Sequence, residues 1–495
     1  MKMPPTRLPA GTMPMASPMR WLLAYLFASG ALYFIVTHFP LGPVRTVPPS
    51  MFDAWTPILP ATVPLYLSYL LVMPVLVWLG RKRDWLLPAF FAGALAAIAC
   101  LVSHLFWPTA IVWPVAGSGW LAWLHRIDSP LAALPSGHVA LPVAISVLLA
   151  MLRERSAWFF AAWSALLMLA VLTTGQHLFY DAACGAAVGV LAGTATAVLL
   201  RMRVDLRSMA MILVEWLCIV VTLRVALAAG DWRLYPLAFA IIATRQHALF
   251  ILYHDAAHYH LSRHRRSNDF LINLAIGVPG TVPIEFYRPL HLAHHRHVGT
   301  ALDPERRFLY QDQPWRFRPL DTIALARQLL GDASMLNTLR TMRAYRKGGG
   351  QFVRPTGPLL AAAIAWGAIV AMLACLCSAQ TLALLAALWF GPLFTAGVLL
   401  QKIRSFAEHS GGPDVTPGWG DWTYSWRVGW LGRLFIWPYH INFHLQHHRN
   451  PNTAWHALPS EVRAGDRMLP SSGLPALLWS GARRKPCASR GNRAP

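Results

Sequence analysis

Acidic residues are scarce in this chain: 21 Asp and Glu stand against 43 Lys and Arg, and charged residues of both signs make up only 13% of the 495. A chain so poor in charge, 56% hydrophobic and with a mean hydropathy of +0.42, has the composition of a polytopic membrane protein and excludes a large soluble enzyme. The shortage of acid leaves a net charge of +22. In a soluble chain that excess would point to nucleic acid. Between apolar spans it reads as a topology signal and a headgroup-facing surface, so nucleic acid is not among the expected partners. Cysteine is also sparse. Five of the six (Cys100, Cys184, Cys218, Cys375, Cys377 and Cys487) lie in apolar runs and none forms a spaced zinc pattern, which excludes a disulfide framework and a cysteine zinc site. No flavin or dinucleotide fingerprint and no fused haem or ferredoxin segment is found, so the chain carries no reductase of its own. No small-residue cleavage site clearly follows the first apolar run, which reads as a retained span.

What is present is a series of runs long enough, or nearly so, to cross a bilayer. They lie near 21–39, 61–80, 85–106, 138–152, 157–174, 178–200, 208–229, 234–253, 358–377 and 381–401. A further run at 270–286 is broken by Gly277, Pro279, Gly280 and Pro283, and is expected to dip into the interface without crossing. The expected fold is all-α: about ten transmembrane helices in two helical membrane domains, residues 1–204 and 205–470, followed by a basic, disordered tail over 471–495. With the N-terminus cytosolic, the inner connections carry Lys2, Arg7, Arg20, Arg81, Lys82, Arg83, Arg153, Arg155, Arg201, Arg203 and Arg207. The outer ones carry only Arg45, Arg126 and Arg233. This asymmetry fits the positive-inside rule and places the basic stretch 254–356 inside and residues 107–137 and 174–178 outside. A bacterial inner membrane or its equivalent is the expected location.

The second half is rich in histidine at helical spacing. His254 and His258 are four apart; His291, His294 and His295 repeat as i, i+3, i+4, as do His444, His447 and His448. Each group therefore turns two or three imidazoles to one side of a helix. Neutral imidazoles suit iron, copper, zinc and nickel, and this number can build more than one metal centre. His409 stands between the groups. His440, four before His444, could be a ligand or support one. His260, His264 and His297 fall off the spacing and are expected to face solvent or headgroups, and His456 to lie in a loop. Asp255 and Glu408 each adjoin a box histidine, where a carboxylate can accept an imidazole N–H; a solvated acid at the surface is the alternative.

Over residues 235–465 the chain resembles the membrane fatty acid desaturase and hydroxylase superfamily. Its HxxxH, HxxHH and distal HxxHH boxes are met in order by His254/His258, His291/His294/His295 and His444/His447/His448, and Ala407-Glu408-His409 resembles its additional histidine. Arg288-Pro-Leu before the second box, Gly299-Thr-Ala-Leu-Asp-Pro-Glu305 after it, and Arg449-Asn-Pro-Asn-Thr after the third agree as well. The resemblance implies two non-haem irons on these nine histidines, O2 as co-substrate, a lipid or acyl substrate, and an external electron donor such as a ferredoxin-like or haem carrier. Desaturation of a fatty acyl chain is the expected reaction; hydroxylation or ketone formation at the same site is the alternative. The basic run Arg263-His-Arg-Arg266 suits an acidic carrier or serves only as topology signal.

In the first half, His177 and Asp181 are four apart, and Pro135-Ser-Gly-His138 precedes them. An aspartate on the same face can orient an imidazole toward nucleophilic attack on phosphorus; His138 could protonate the leaving group, and Ser136 and the Gly137 amide could hold phosphate oxygens. Over residues 50–200 this half resembles the type 2 phosphatidic acid phosphatase superfamily. The stretches around Trp55–Tyr66 and Ile127-Asp-Ser-Pro130 look like its inositol-phosphoceramide-synthase branch. Two departures stand out: the lysine and Arg-Pro motif is absent, and Ala170-Val171 occupy the place of Ser-Arg. Arg126, with Arg45 behind it, is the surviving outer cation for phosphate. The expectation is a lipid phosphatase or phosphotransferase, with phosphotransfer as a rival main activity of the whole chain; a domain that only binds a headgroup or scaffolds its neighbour is the alternative.

Overall fold

The computed structural model describes residues 16–115, 118–298, 300, 302–305, 322–347, 354–409, 423–466 and 468–475. In lipid every backbone N–H and C=O must be satisfied within the chain, so apolar runs rich in Ala and Leu fold as helices. Among the described residues, nine helices are long and apolar enough to cross a membrane, and Gly137–Met151 is a shorter apolar helix. Two parallel pairs of very short strands are the only sheet there. The all-α polytopic architecture is therefore observed. The chain divides into two compact units, Met1–Leu206 and Arg207–Pro495.

The first unit holds α1 (Ala16–His38), α2 (Pro60–Gly80, with 3-10 turns), α3 (Leu86–Phe106), α4 (Gly119–Ile127), α5 (Gly137–Met151), α6 (Ser156–Thr173) and α7 (Phe179–Arg201). Its centre is the seam between α5 and α7. Gly185, Gly189 and Gly193 repeat every four residues on α7. A Cβ at these positions would stand 2.3, 2.5 and 2.7 Å from the carbonyl oxygens of Ser136, Ala140 and Ala144. Only glycine permits backbones this close, the small-residue packing expected where lipid supplies no hydrophobic drive between helices. Two carboxylates meet the start of α7: Asp181 Oδ2 accepts from Leu178 N at 2.8 Å and Asp53 Oδ1 from Phe179 N at 2.8 Å. Both satisfy amides the first turn leaves free and sit at the positive end of the helix dipole.

The second unit holds α8 (Leu206–Ala229), α9 (Tyr235–Ala257), α10 (Arg265–Ile272), α11 (Ile284–His297), α12 (Thr322–Ala333), α13 (Leu336–Lys347), α14 (Gly357–Leu376), α15 (Ala379–Phe394), α16 (Ala396–His409), α17 (Trp430–Phe435) and α18 (His444–Arg449). The span expected at 381–401 is longer than the sequence suggests, because α15 and α16 form one apolar stretch of 31 residues. At ~1.5 Å per residue, 31 helical residues are longer than a hydrocarbon core of ~30 Å requires.

The broken run at 270–286 reverses direction instead of forming one helix. After α10 the chain makes a π-helical turn, Asn273–Gly277. Three tryptophans from three different helices cap it: the indole N–H groups of Trp216, Trp366 and Trp389 donate to the carbonyls of Ala275, Leu274 and Pro279 at 2.9, 2.6 and 2.9 Å. Irregular backbone survives at membrane depth only where protein groups satisfy it. Asn273 closes the reversal, accepting from Ile284 N at 2.9 Å and donating to Glu285 at 3.0 Å.

Within the stretch assigned above to the tail, Leu474 is packed. It is buried against Ile251, Ala407, Trp426, Trp437 and Ile441, because the strand pair Ser425–Arg427 with Met468–Pro470 delivers it there. The rest of the expected tail lies outside the described residues.

Candidate metal centre and a second histidine site

All nine histidines of the boxes and of Ala407-Glu408-His409 come together in the second unit, and all but His258 are buried to within 7% exposure. Helix ends deliver them: His254 and His258 from the end of α9, His291, His294 and His295 from α11, His409 from the end of α16, and His444, His447 and His448 from α18. They form two adjoining sets. In the first, His258 Nε2 lies 3.0 Å from His291 Nε2, His291 Nε2 3.0 Å from His295 Nε2, and His295 Nε2 3.1 Å from His447 Nε2. His254 faces the rings of His291 and His447 at 4.3 and 4.6 Å. In the second, His444 Nε2 lies 3.0 Å from His409 Nε2 and 3.1 Å from His448 Nε2, with the His294 ring 4.8 Å from His409 and 5.1 Å from His448. The stacked rings of His295 and His448, 4.1 Å apart, join the sets.

This donor set fits a pair of cations. A ring nitrogen carries one proton or one in-plane lone pair and makes one hydrogen bond. His291, His295 and His444 each have two Nε2 neighbours at 3.0–3.1 Å, so imidazoles alone leave a contact unsatisfied at each. Nitrogens bound at ~2.1 Å to one ion stand ~3.0–3.4 Å apart in octahedral or tetrahedral sets. The buried His254 Nε2 has no hydrogen-bond partner, a further donor aimed into the first set.

The surroundings favour the neutral form of six of these imidazoles. Burial, then repulsion from neighbouring imidazoles, holds His291, His444, His447 and His448 well below the ordinary imidazole range, and lowers His295 as well. Burial, then His260 and Arg288, brings His258 down to about 3. His294 moves the other way: burial lowers it, but Glu305 and the hydrogen-bonded Asp303 outweigh that. Asp303 Oδ2 accepts from His294 Nδ1 at 2.9 Å, which leaves the Nε2 lone pair for the second set, and Glu305 stands 3.3 Å from His291 Nδ1.

Tethers between segments set this geometry. Arg288 bonds Asp269 through both terminal nitrogens, at 3.2 and 2.6 Å, and the Ala257 carbonyl through Nε at 2.9 Å, tying α11 to the end of α9. Trp426 Nε1 donates to Ala407 O at 3.0 Å, and Ser425 Oγ accepts from Leu445 N at 3.1 Å, fixing α18 beside α16. Before the third box the chain passes through Tyr439 and His440 with φ of 51° and 57°, strained for side chains of this size. The Tyr439 hydroxyl is bonded to Glu215, which also accepts from Arg245 at 3.1 Å.

Some expectations change. His260 is half-buried and paired with Asp255, Nδ1 to Oδ1 2.8 Å, because α9 ends at Ala257 and Tyr259, at φ 63°, turns the chain back. Asp255 also accepts from Trp455 N at 3.2 Å, so it holds His260 and the loop after the third box instead of a box histidine. His440 packs beside Phe443 and Trp455, outside both sets. Asp303 and Glu305 lie in the segment that flanks the second box; their spacing alone gave no sign of which histidines they meet.

The family model for fatty acid desaturases matches residues 230–477, half of the chain. The chain belongs to the fatty acid desaturase family. All nine clustered histidines fall inside the matched region. It is similar to a beta-carotene 4-ketolase of Protosiphon botryoides, 28% identical over 246 residues. That match covers 46% of the chain and about half, 51%, of the length of that curated relative. No solved structure matches.

The first unit holds a smaller site. His138 Nδ1 lies 3.2 Å from His177 Nε2 at the start of α5. Asp181 Oδ2 is 3.6 Å from His177 Nδ1, beyond a hydrogen bond, because that oxygen also caps α7. Ser136 precedes α5, its buried hydroxyl without a hydrogen-bond partner, and Gly137 opens the helix with only Cys100 near a would-be Cβ, at 3.9 Å. His138 packs between the rings of Tyr66 and Tyr69, at 4.7 and 4.4 Å. Arg126 lines a cleft of about 280 Å³ with His38, Trp113, His125 and Asp128; Ser136, His138 and His177 are not among its lining residues. Arg45 stacks on Trp107 at 3.6 Å. Sequence reading missed His104, buried on α3 and in electrostatic reach of His177 and Asp181.

Proposed function

We propose that the second unit is a non-haem di-iron, O2-dependent oxidase that desaturates a fatty acyl chain of a membrane lipid. The convergence of nine imidazoles from four segments into two adjoining sets supports this reading above all. His254, His258, His291, His295 and His447 would hold one iron; His294, His409, His444 and His448 would hold the other. When bound, paired iron supplies the activation of dioxygen needed to take hydrogen from an unactivated C–H bond. The chain's own part is positional. Asp303 orients His294, Arg288 and Trp426 hold the box helices in register, and burial keeps bulk water from the donors. Electrons come from an external carrier, ferredoxin-like or haem, for which the exposed Arg263, Arg265 and Arg266 offer an acidic partner a landing surface. In this reading the histidine boxes are cytosolic and the first unit's site faces the opposite side.

Oxygen insertion is the second reading for this site, favoured by the similarity to a beta-carotene 4-ketolase. Product mass separates the two. Lipid extracts of a host expressing the wild type, set beside His294→Ala, show loss of two hydrogens for desaturation and gain of oxygen for hydroxylation or ketone formation. No new lipid of either kind would overturn the oxidase reading.

For the first unit we propose phosphate-ester transfer on a lipid: His177 as nucleophile, His138 as proton donor, Asp181 supporting His177, and Ser136, Gly137 and Arg126 as phosphate ligands. The 3.2 Å approach of His138 to His177 at the start of a helix supports it. That Arg126 lines a cleft which these groups do not line favours headgroup binding without turnover as the alternative. Phosphate release from phosphatidic acid by the purified protein, absent in His177→Ala, decides between them.

A further inference from the structure

We propose that Glu408 is a tenth protein ligand, binding through its carboxylate to the metal held by His294, His409, His444 and His448. This rests on the di-iron reading and adds to it a residue outside the histidine boxes.

Glu408 lies on the last turn of α16, immediately before His409, and is 0% exposed. Its Oε2 accepts from Arg404 at 2.5 Å and lies 3.4 Å from His444 Nε2. Its Oε1 is buried and has no hydrogen-bond partner. A carboxylate oxygen in that position is costly unless a positive group meets it. Glu408, His409 and His444 each offer a ligand atom within 4.8 Å of the others, and so do His294, His409 and His448, so the carboxylate belongs to the same set as the four imidazoles.

Charge points the same way. Two ferrous ions bring four positive charges into a cage of imidazoles, and buried Arg404 adds another. Asp303 and Glu305 approach the Nδ1 sides of His294 and His291, away from the converging Nε2 atoms. Among the described residues, Glu408 is the acid that reaches the Nε2 side, at His444. A hard anionic oxygen suits iron, and pairing with Arg404 occupies only Oε2.

The test is iron content and Mössbauer spectrum of the full-length protein purified in detergent, as wild type, Glu408→Gln and the double variant Arg404→Met/Glu408→Gln. The wild type is expected to hold about two irons per chain, and both variants to fall toward one with the second iron's signal lost. The double variant removes both buried charges. If Glu408 serves only to neutralise Arg404, the double variant retains two irons with the wild-type spectrum, and the proposal is overturned. An iron-free wild type would instead overturn the di-iron reading, and the proposal with it. A cryo-EM structure of the iron-loaded wild type decides independently of whether the variants fold. A Glu408 oxygen at ~2.2 Å from iron sustains the proposal, and one beyond hydrogen-bonding reach of the metal's ligands refutes it.

Discussion

The two histidine sites differ in how many separate stretches of chain must agree to build them. The cage of the second unit draws ligands from α9, α11, α16 and α18, and each of these is tied to another by a hydrogen bond or a packed indole. The site of the first unit draws its motif residues from the starts of α5 and α7, which the glycine seam presses together. The cage is therefore over-determined, and its geometry implies its chemistry. The smaller site has the histidine pair, but Arg126, the cation proposed for phosphate, lines a cleft that the pair does not. The number of independent constraints, more than the number of histidines, separates the two.

Single substitutions at the two sites should divide the activities cleanly. His294→Ala removes a donor from the second iron set together with the partner of Asp303. The expected result is complete loss of the oxidised lipid, a fall of at least ~10³-fold, with phosphate release unchanged. His177→Ala should do the reverse, lowering phosphate release by ~10³-fold or more while the oxidised lipid stays at the wild-type level. Lipid mass spectrometry and a phosphate assay on the same preparations check both. If either substitution silenced both activities, the sites would not be independent.

Acid should separate the sites by stability. Six imidazoles of the cage, His258, His291, His295, His444, His447 and His448, are held below the value of an unfolded histidine. Below about pH 6.5 the unfolded chain takes up protons that the folded cage refuses, so stability falls as pH falls. Each such group costs up to about 1.4 kcal/mol per pH unit within that window. His294 has the opposite sign: its raised value gives stability at low pH that is lost as pH rises through it. Six against one, the net effect is loss on acidification. The apparent unfolding temperature of metal-free protein should drop steeply between about pH 6.5 and 5. Iron loading should move that drop to lower pH, because a bound cation keeps the imidazoles deprotonated. A flat profile would mean that the histidines are solvated.

Much of this was legible in the sequence because helical spacing is a strong signal. The i, i+3, i+4 boxes, the ten apolar runs and the glycine- and proline-broken segment all follow from periodicity and composition. What spacing conceals is contact between distant segments. Glu215 finds Arg245, 30 residues away on the next helix, and Tyr439 beyond that. Asp128 accepts from Tyr66 at 2.5 Å and from Tyr33, contacts that the spacing of these residues does not give. His260 is off the box spacing, and only the turn at Tyr259 brings it to Asp255. His104 stands alone in an apolar run and comes within electrostatic reach of His177 and Asp181 only in the fold. In each case tertiary structure brings together groups whose sequence neighbourhoods are silent.

The finest distinction between the sites is the support given to a single imidazole. Asp303 accepts from His294 Nδ1 at 2.9 Å, whereas Asp181 stands 3.6 Å from His177 Nδ1. Asn at 303 keeps the size and can still accept a hydrogen bond, but it removes the negative charge that helps hold His294. Loss of such a partner weakens metal binding by ~10–100-fold. Asp303→Asn should therefore bind iron, release it to a chelator ~10–100 times more readily than the wild type, and recover oxidation when iron is in excess. Asp181→Asn should do less to His177, because at 3.6 Å the pair is electrostatic and not hydrogen-bonded. Chelator competition followed by iron analysis measures the first change, and the phosphate assay the second. An Asp303→Asn protein that keeps its iron as firmly as the wild type would show that α11 alone orients His294, and that the carboxylate adds nothing to the cage.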